Sequence, residues 1–403
     1  MPSEPTLAAR FTTLTRQLAE GQGLWRPLPF QRRGAPWGDA APGLAEALLA
    51  LPDDAAARLQ DAPFEDSPLS AWLPVAELAA AVDLPRLATG GVELPAAWGE
   101  GIGARKWRQI QAFAGCVPRV HEEHLVEWCA GKGHLSRTLA RWHGRAVSGL
   151  EWQASLCESG QALADGQAQP VRLHRQDVLA DDAAEWLAPG RRVAALHACG
   201  DLHGRLLELA AASGAAVTLA PCCYQRTAAD EYHALSRRGR SLMAEHGLEL
   251  TREDLSMAVQ ETVTAPPGVR RHRRRANAWR LGFDRLQREV RGHDEYLPVP
   301  SLAYGRLPAD FAGFCRWAAE RKAVALPADV DWLAWEAEGW RRQAEVTRLE
   351  LVRHLYRRPL EVWLALDRAW RLVEAGQRVR LGTFCDRELT PRNLLIETLP
   401  ASG

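Results

Sequence analysis

Between residues 124 and 220 the chain alternates short apolar runs with helical stretches, and this alternation limits the possible folds more than any other feature. The runs occupy residues 124–129, 146–150, 171–174, 193–197 and 216–220 and are built largely on Val, Leu and Ala. They are too short for ordinary helices but the right length for strands. Residues 135–142, 153–164 and 205–212, which lie among them, have helical character. Strands alternating with helices form βα units, and these need a parallel sheet with crossover helices on its faces. The expectation is an α/β, Rossmann-like fold with five such units in order.

Two further strands, 377–384 and 393–397, joined by 385–392, predict a C-terminal hairpin that completes a seven-stranded sheet. Residues 248–251 are the alternative sixth strand; the hairpin is preferred because it offers two strands and a turn. Prolines and helical periodicity before residue 100, and long amphipathic stretches such as 349–370, frame the sheet with helices. The expected layout is a helical N-terminal domain at 1–100, a cofactor-binding core at 101–225, a helical insertion at 226–376 and the hairpin at 377–403.

At 403 residues, 47% hydrophobic and 25% charged, the composition is that of a globular protein and excludes disordered and fibrous classes. No run approaches the roughly 18 apolar residues of a membrane span, and Met1-Pro2-Ser3-Glu4 opens without a basic or apolar leader. A cytoplasmic chain is therefore expected. The eight cysteines show no C-x₂-C spacing, so free thiols are expected, with neither a disulfide framework nor a structural metal.

The segment Leu125-Val-Glu127-Trp-Cys-Ala-Gly131-Lys132-Gly133-His-Leu-Ser136 runs from a strand through a glycine pair into a helix. Glycines there let a ligand approach the backbone at the carboxyl end of a sheet. A dinucleotide fingerprint would carry a third glycine where Ser136 stands, and the in-strand acid Glu127 suits a cation better than a pyrophosphate. S-adenosylmethionine meets both conditions, having an ammonium, a sulfonium and an adenosine but no phosphate. Glu151 ends the second strand, where a carboxylate can take ribose hydroxyls, and Asp177 follows the third, where adenine would sit. Glu127, Gly131, Lys132, Gly133, Glu151 and Asp177 are thus the expected cofactor-binding residues.

Three motifs, Glu127 to Ser136, His197-Ala-Cys199-Gly-Asp201-Leu202 and Ala220-Pro-Cys222-Cys223-Tyr224, resemble those of methyltransferases bearing a CCYH or CCHH signature. That family includes the eukaryotic tRNA 2′-O-methyltransferase with a CHHC finger and the relatives called methyltransferase-like protein twenty-five. Thr390-Pro-Arg392-Asn393 is similar to a Ser-Pro-Arg-Asn near their C-termini. The resemblance covers about residues 100–225 and 377–397. It implies a class I, S-adenosylmethionine-dependent methyltransferase with a helical insertion before the last hairpin, acting on RNA, with tRNA the first candidate. The sequence departs from the family at Gln225, where His is usual, and at Arg105-Lys106-Trp107-Arg108-Gln109, where Lys-Lys-x-His-Glu is usual; no CHHC finger is visible.

In such a fold the acceptor lies over the ends of the fourth and fifth strands, which carry His197, Cys199, Asp201, Cys222 and Tyr224 as candidate catalytic residues. Asp201 or His197 would take the acceptor's proton in oxygen or nitrogen methylation; a cysteine thiolate would attack the ring in cytosine C5 methylation. The resemblance points to the first. Adjacent strand residues face opposite sides, so only one of Cys222 and Cys223 is expected to face the site.

Charge adds a partner. Residues 1–100 are net −6, while residues 266–291 hold nine arginines against Asp284 and Glu289 on a helix whose Trp279, Phe283, Leu286 and Val290 form an apolar stripe. A coding bias toward arginine does not explain such local concentration, and a basic helix fits RNA phosphates. Arg271, Arg274 and Arg275, with Lys106 beside the cofactor site, are the expected substrate-binding residues. The competing readings are a methyltransferase for protein or small molecules, and a cofactor-binding scaffold without catalysis.

Overall fold

All five apolar runs fold as strands, with boundaries moved by one or two residues: β1 His124–Trp128, β2 Val147–Glu151, β3 Val171–Arg175, β4 Arg191–Cys199 and β5 Ala216–Cys222. The expected hairpin forms β6 Val379–Thr383 and β7 Leu394–Thr398. Residues 248–251 form no strand; Thr251 makes only an isolated bridge to Glu231. This computed structural model describes residues 6–87, 91–119, 124–260, 265–303 and 305–399, so the N-terminal tetrapeptide and residues 400–403 of the expected hairpin segment lie outside it.

The seven strands form one sheet in the order β3-β2-β1-β4-β5-β7-β6. β1 to β5 are parallel, and β7 runs antiparallel between β5 and β6. Strands β2 and β7 are buried along their whole length, β5 almost so, while the edge strand β3 alternates buried and exposed residues. Continuous burial is the mark of a parallel sheet covered on both faces. The helices His134–His143, Ala154–Gly166 and Asp201–Ser213 are the expected crossovers. Strand order reverses between β1 and β4, so a crevice opens outside their carboxyl ends, where α/β sheets bind ligands.

The chain divides into two compact units along lines that its linear order does not follow. The sheet unit gathers 1–20, 77–261 and 357–403; the second gathers 21–76 and 262–356. The N-terminal domain expected at 1–100 is thus shared between the two, and so is the insertion expected at 226–376. Packing explains the first exchange. The Leu7–Glu20 helix buries Phe11, Leu14 and Leu18, with Phe11 5.6 Å from Trp363 ring to ring and Thr15 Oγ1 accepting from Trp363 Nε1 at 2.8 Å.

In the second unit, the basic segment forms the Pro267–Arg291 helix, and it packs on the Trp332–Leu349 helix. A Cβ on Gly339 would stand 2.4 Å from Ala278 O and 3.0 Å from Gly282 Cα, so the two backbones cross where neither helix carries bulk. The expected stripe packs inward: Trp279, Phe283 and Leu286 share a core with Phe311, Phe314 and Cys315, with Val290 at its margin. Among the described residues no helix is long and apolar enough to cross a membrane.

Candidate functional site

The loop after β1 takes its shape from positive φ angles at Cys129 (60°), Gly131 (56°) and Gly133 (62°). No atom lies within 4 Å of where a Cβ on Gly131 would stand, so the glycine keeps that space open. Gly133 caps the His134–His143 helix. Ser136, in place of a third glycine, donates its backbone N–H to Glu127 Oε2 at 2.7 Å and its hydroxyl to the same oxygen. The serine is therefore a partner for the strand acid, not a lapse in a glycine motif. Burial pushes the Glu127 carboxyl up to about 7, against the pull of the Ser136 bonds and the Lys106 charge.

Glu151 braces the same loop. Its Oε2 accepts from Gly131 N at 2.9 Å and its Oε1 from Gln153 N at 3.0 Å. A carboxylate has about four acceptor positions, so two such bonds leave room for ligand hydroxyls. Asp177 Oδ1 accepts from Leu179 N at 3.0 Å, fixing the turn after β3. Together these acids border a cavity of about 400 Å³ lined also by Cys129, Leu150, Trp152, Val178, Leu179 and Leu202. Size and lining, mostly apolar with a few placed polar groups, suit a small-molecule cofactor. Trp152 is 66% exposed and Leu179 49% exposed, apolar side chains standing in water at its rim. Sequence reasoning missed both, although Trp152 follows directly on the strand-end acid.

The ends of β4 and β5 gather most of the expected catalytic residues. His197 departs from β geometry with φ 69°, and its Nε2 meets Gln109 Oε1 at 3.1 Å. Gln109 Nε2 donates to Leu389 O at 3.1 Å, which turns its carbonyl oxygen toward the imidazole. An oxygen acceptor requires the proton on Nε2, which leaves Nδ1 as the acceptor of the ring. Burial first, then the charges of Lys106 and Arg392, hold the His197 pKa below the ordinary imidazole value. A neutral ring with Nδ1 unprotonated is a proton acceptor.

Asp201 opens the Asp201–Ser213 helix, exposed, with Oδ2 accepting from Ala228 N at 2.9 Å. Gly200 before it has no room for a side chain: a Cβ would lie 1.7 Å from Arg226 O. Cys199 Sγ lies 3.1 Å from Cys222 Sγ, and Cys223 leaves the strand with φ 43°. Strand alternation therefore does not govern Cys223, and the sulfurs of Cys199, Cys222 and Cys223 all lie within 4.8 Å of one another. The expectation that adjacent cysteines point apart is corrected by that turn. Thiol hydrogen bonds from Cys199 and then Cys222 draw the Cys223 pKa down, while those with Cys199 and then Cys223 push that of Cys222 up.

Tyr224 does not stand at the acceptor site. It is 1% exposed, with the Arg368 guanidinium 4.6 Å from its ring and His203 set edge-on. Burial raises the phenol pKa further. The ring packs because the chain turns at Cys223, sending the next side chain inward. Cys222, 3% exposed, is likewise withdrawn from solvent.

Lys106 and Lys132 are both exposed, and the charge of Lys106 acts on Glu127, His134 and His197. The nine arginines of the Pro267–Arg291 helix divide by position. Arg270, Arg271, Arg273, Arg274 and Arg275 are exposed. Arg288 is buried, bonded to Asp284 at 2.9 Å and Asp294 at 2.5 Å, and Arg285 pairs with Glu338 at 3.1 Å. Half of the basic helix is thus committed to its own unit.

Residues 105–230 match the family model of a methyltransferase domain. With the sheet order above, this match fits the α/β, Rossmann-like methyltransferase fold. No curated protein matches the sequence. A solved structure described as "Conversion of a Disulfide Bond into a Thioacetal Group during Echinomycin Biosynthesis" is 20% identical over 26% of this chain and 44% of that chain, with a TM-score of 0.22. The match spans less than half of that protein's length.

Proposed function

We propose that this protein uses S-adenosylmethionine to methylate RNA, with tRNA as the first candidate acceptor. The observation that carries the cofactor reading is the open space at Gly131 beside Glu151, whose carboxylate already holds the Gly131 amide. When bound, S-adenosylmethionine supplies an electrophilic methyl group. Glu151 would accept from ribose hydroxyls, Asp177 would take polar edges near the third strand, and Trp152 and Leu179 would cover the adenine. Glu127, ionised, would face the cationic end of the ligand, with Lys132 and Gly133 completing the loop. His197 Nδ1 would take the acceptor's proton, held in the right tautomer by Gln109.

The RNA reading is supported by the resemblance to tRNA methyltransferases and by five exposed arginines between residues 270 and 275. The test is incubation with radiolabelled cofactor and separate RNA, protein and small-molecule pools from cells lacking the gene. Label in tRNA-sized RNA is the expected result. Label in protein or small molecules overturns the acceptor and keeps the transfer; cofactor binding with no labelled product favours the scaffold; no cofactor binding in calorimetry overturns the whole reading.

A further inference from the structure

Two separate pieces of backbone bring three sulfurs to one point. Cys199 closes β4, Cys222 closes β5 as its register partner, and Cys223 turns back through φ 43°. Free cysteine is ordinarily a small buried hydrophobe, and packing alone does not require a strained backbone that collects a third sulfur. Among the described residues, this is the group of three Cys, His, Asp or Glu side chains that comes together at metal-ligand spacing. We propose that Cys199, Cys222 and Cys223 bind one zinc ion through three thiolates, with the fourth position open.

The geometry and chemistry fit. Tetrahedral zinc with Zn–S bonds of about 2.3 Å sets its sulfurs about 3.8 Å apart. All three sulfurs lie within 4.8 Å of one another. The Cys199–Cys222 pair, at 3.1 Å, opens by roughly 0.7 Å to reach that spacing. Soft thiolates select a thiophilic ion over calcium or magnesium. Three thiolates on a dication leave one negative charge, and the Arg392 and Arg226 charges that act on Cys223 offset it.

Three protein ligands and an open position are the pattern of zinc that meets a ligand, where four protein ligands close a structural site. The class of molecule for that position is a water, alcohol, amine or thiol, whose proton zinc makes easier to remove. The site stands on sulfur geometry and is independent of the methyl-transfer reading.

The experiment uses the full chain, prepared anaerobically with reductant, stripped by chelation and titrated with zinc against a chromophoric chelator. One zinc per chain is expected, with affinity falling at least about tenfold in each of Cys199→Ser, Cys222→Ser and Cys223→Ser, and unchanged in Cys157→Ser and Cys315→Ser. Cobalt added to the unmutated chain should give a near-ultraviolet thiolate-to-metal charge-transfer band and tetrahedral visible bands, a readout that needs no variant. No zinc retained against the chelator, no such cobalt spectrum, unchanged affinity in the three serine variants, or a Cys199–Cys222 disulfide that persists in reductant would each overturn the assignment.

Discussion

Gly131 shows what a single residue contributes to this site. No atom lies within 4 Å of its Cβ position, so Gly131→Val has room in the unliganded chain apart from the strain of a branched side chain at positive φ, about 1–2 kcal/mol. Loss of S-adenosylmethionine binding in calorimetry is the expected result; Gly131→Ala, equally strained but smaller, should keep more affinity. Gln109 is the second test. Placing a carboxylate 3.1 Å from His197 Nε2 through Gln109→Glu favours the imidazolium. The acidic limb of the kcat/KM profile should then move up by about one pH unit or more, with cofactor affinity unchanged. Glu127 is the third. Its folded pKa of about 7 lies above the ordinary value of 4.5, so between those values the folded state binds more protons than the unfolded chain. Stability is therefore greatest below pH 4.5 from this group and declines as pH rises through 7, by about 3 kcal/mol in order of magnitude. Denaturant unfolding at pH 5 and pH 8 should show that decline shrinking in Glu127→Gln.

At the scale of elements, the Pro267–Arg291 helix is two surfaces on one rod. The arginines from 270 to 275 are exposed, whereas Arg288 is buried in pairs with Asp284 and Asp294. Replacing Arg271, Arg274 and Arg275 by glutamine should weaken RNA binding and flatten its salt dependence by about 0.7 in log–log slope per lost contact on single strands. Cofactor binding should stay as it was, and filter binding across a salt series measures both slopes. A wild-type slope in the triple variant would return the helix to the status of a solvated surface. The sequence displayed the concentration of arginine and the apolar stripe, because both follow helical spacing. It did not display that Arg285 meets Glu338, which approaches only when the two helices pack. The same limit applies to Ser136, whose bond to Glu127 joins a helix start to a strand.

The sheet unit is held partly by a polar knot that joins segments far apart in the sequence. Asp367, fully buried, accepts from Tyr232 Oη at 2.5 Å, Leu235 N at 2.8 Å, and Ser236 N and Oγ at 3.0 and 2.6 Å. Arg368 donates Nε–H to His203 Nε2 at 2.7 Å, and His203 Nδ1 meets Ala198 O at 3.0 Å. The knot ties the end of β4 and the segment after β5 to the Leu351–Val373 helix. Burial and the Arg368 charge keep His203 neutral, its pKa lowered to about 3. Asp367→Ala leaves four donors without their acceptor, so a loss of about 3 kcal/mol or more is expected in chemical denaturation.

The sequence by itself determined the strands, their order along the chain, the glycine turn and the acids at the strand ends. These depend on spacings of a few residues, and right-handed βα crossovers keep the carboxyl ends of the parallel strands on one edge of the sheet. Tertiary structure alone decided that the Leu7–Glu20 helix joins Trp363, 348 residues from Thr15, and that residues 21–76 group with 262–356. It also turned Tyr224 inward and drew three cysteine sulfurs together. Apolar faces are interchangeable to the hydrophobic effect, which has no direction, so a helix shows which face it will bury and not against which partner. That choice depends on shape and on the pairing of buried polar groups, which exist only once distant segments meet.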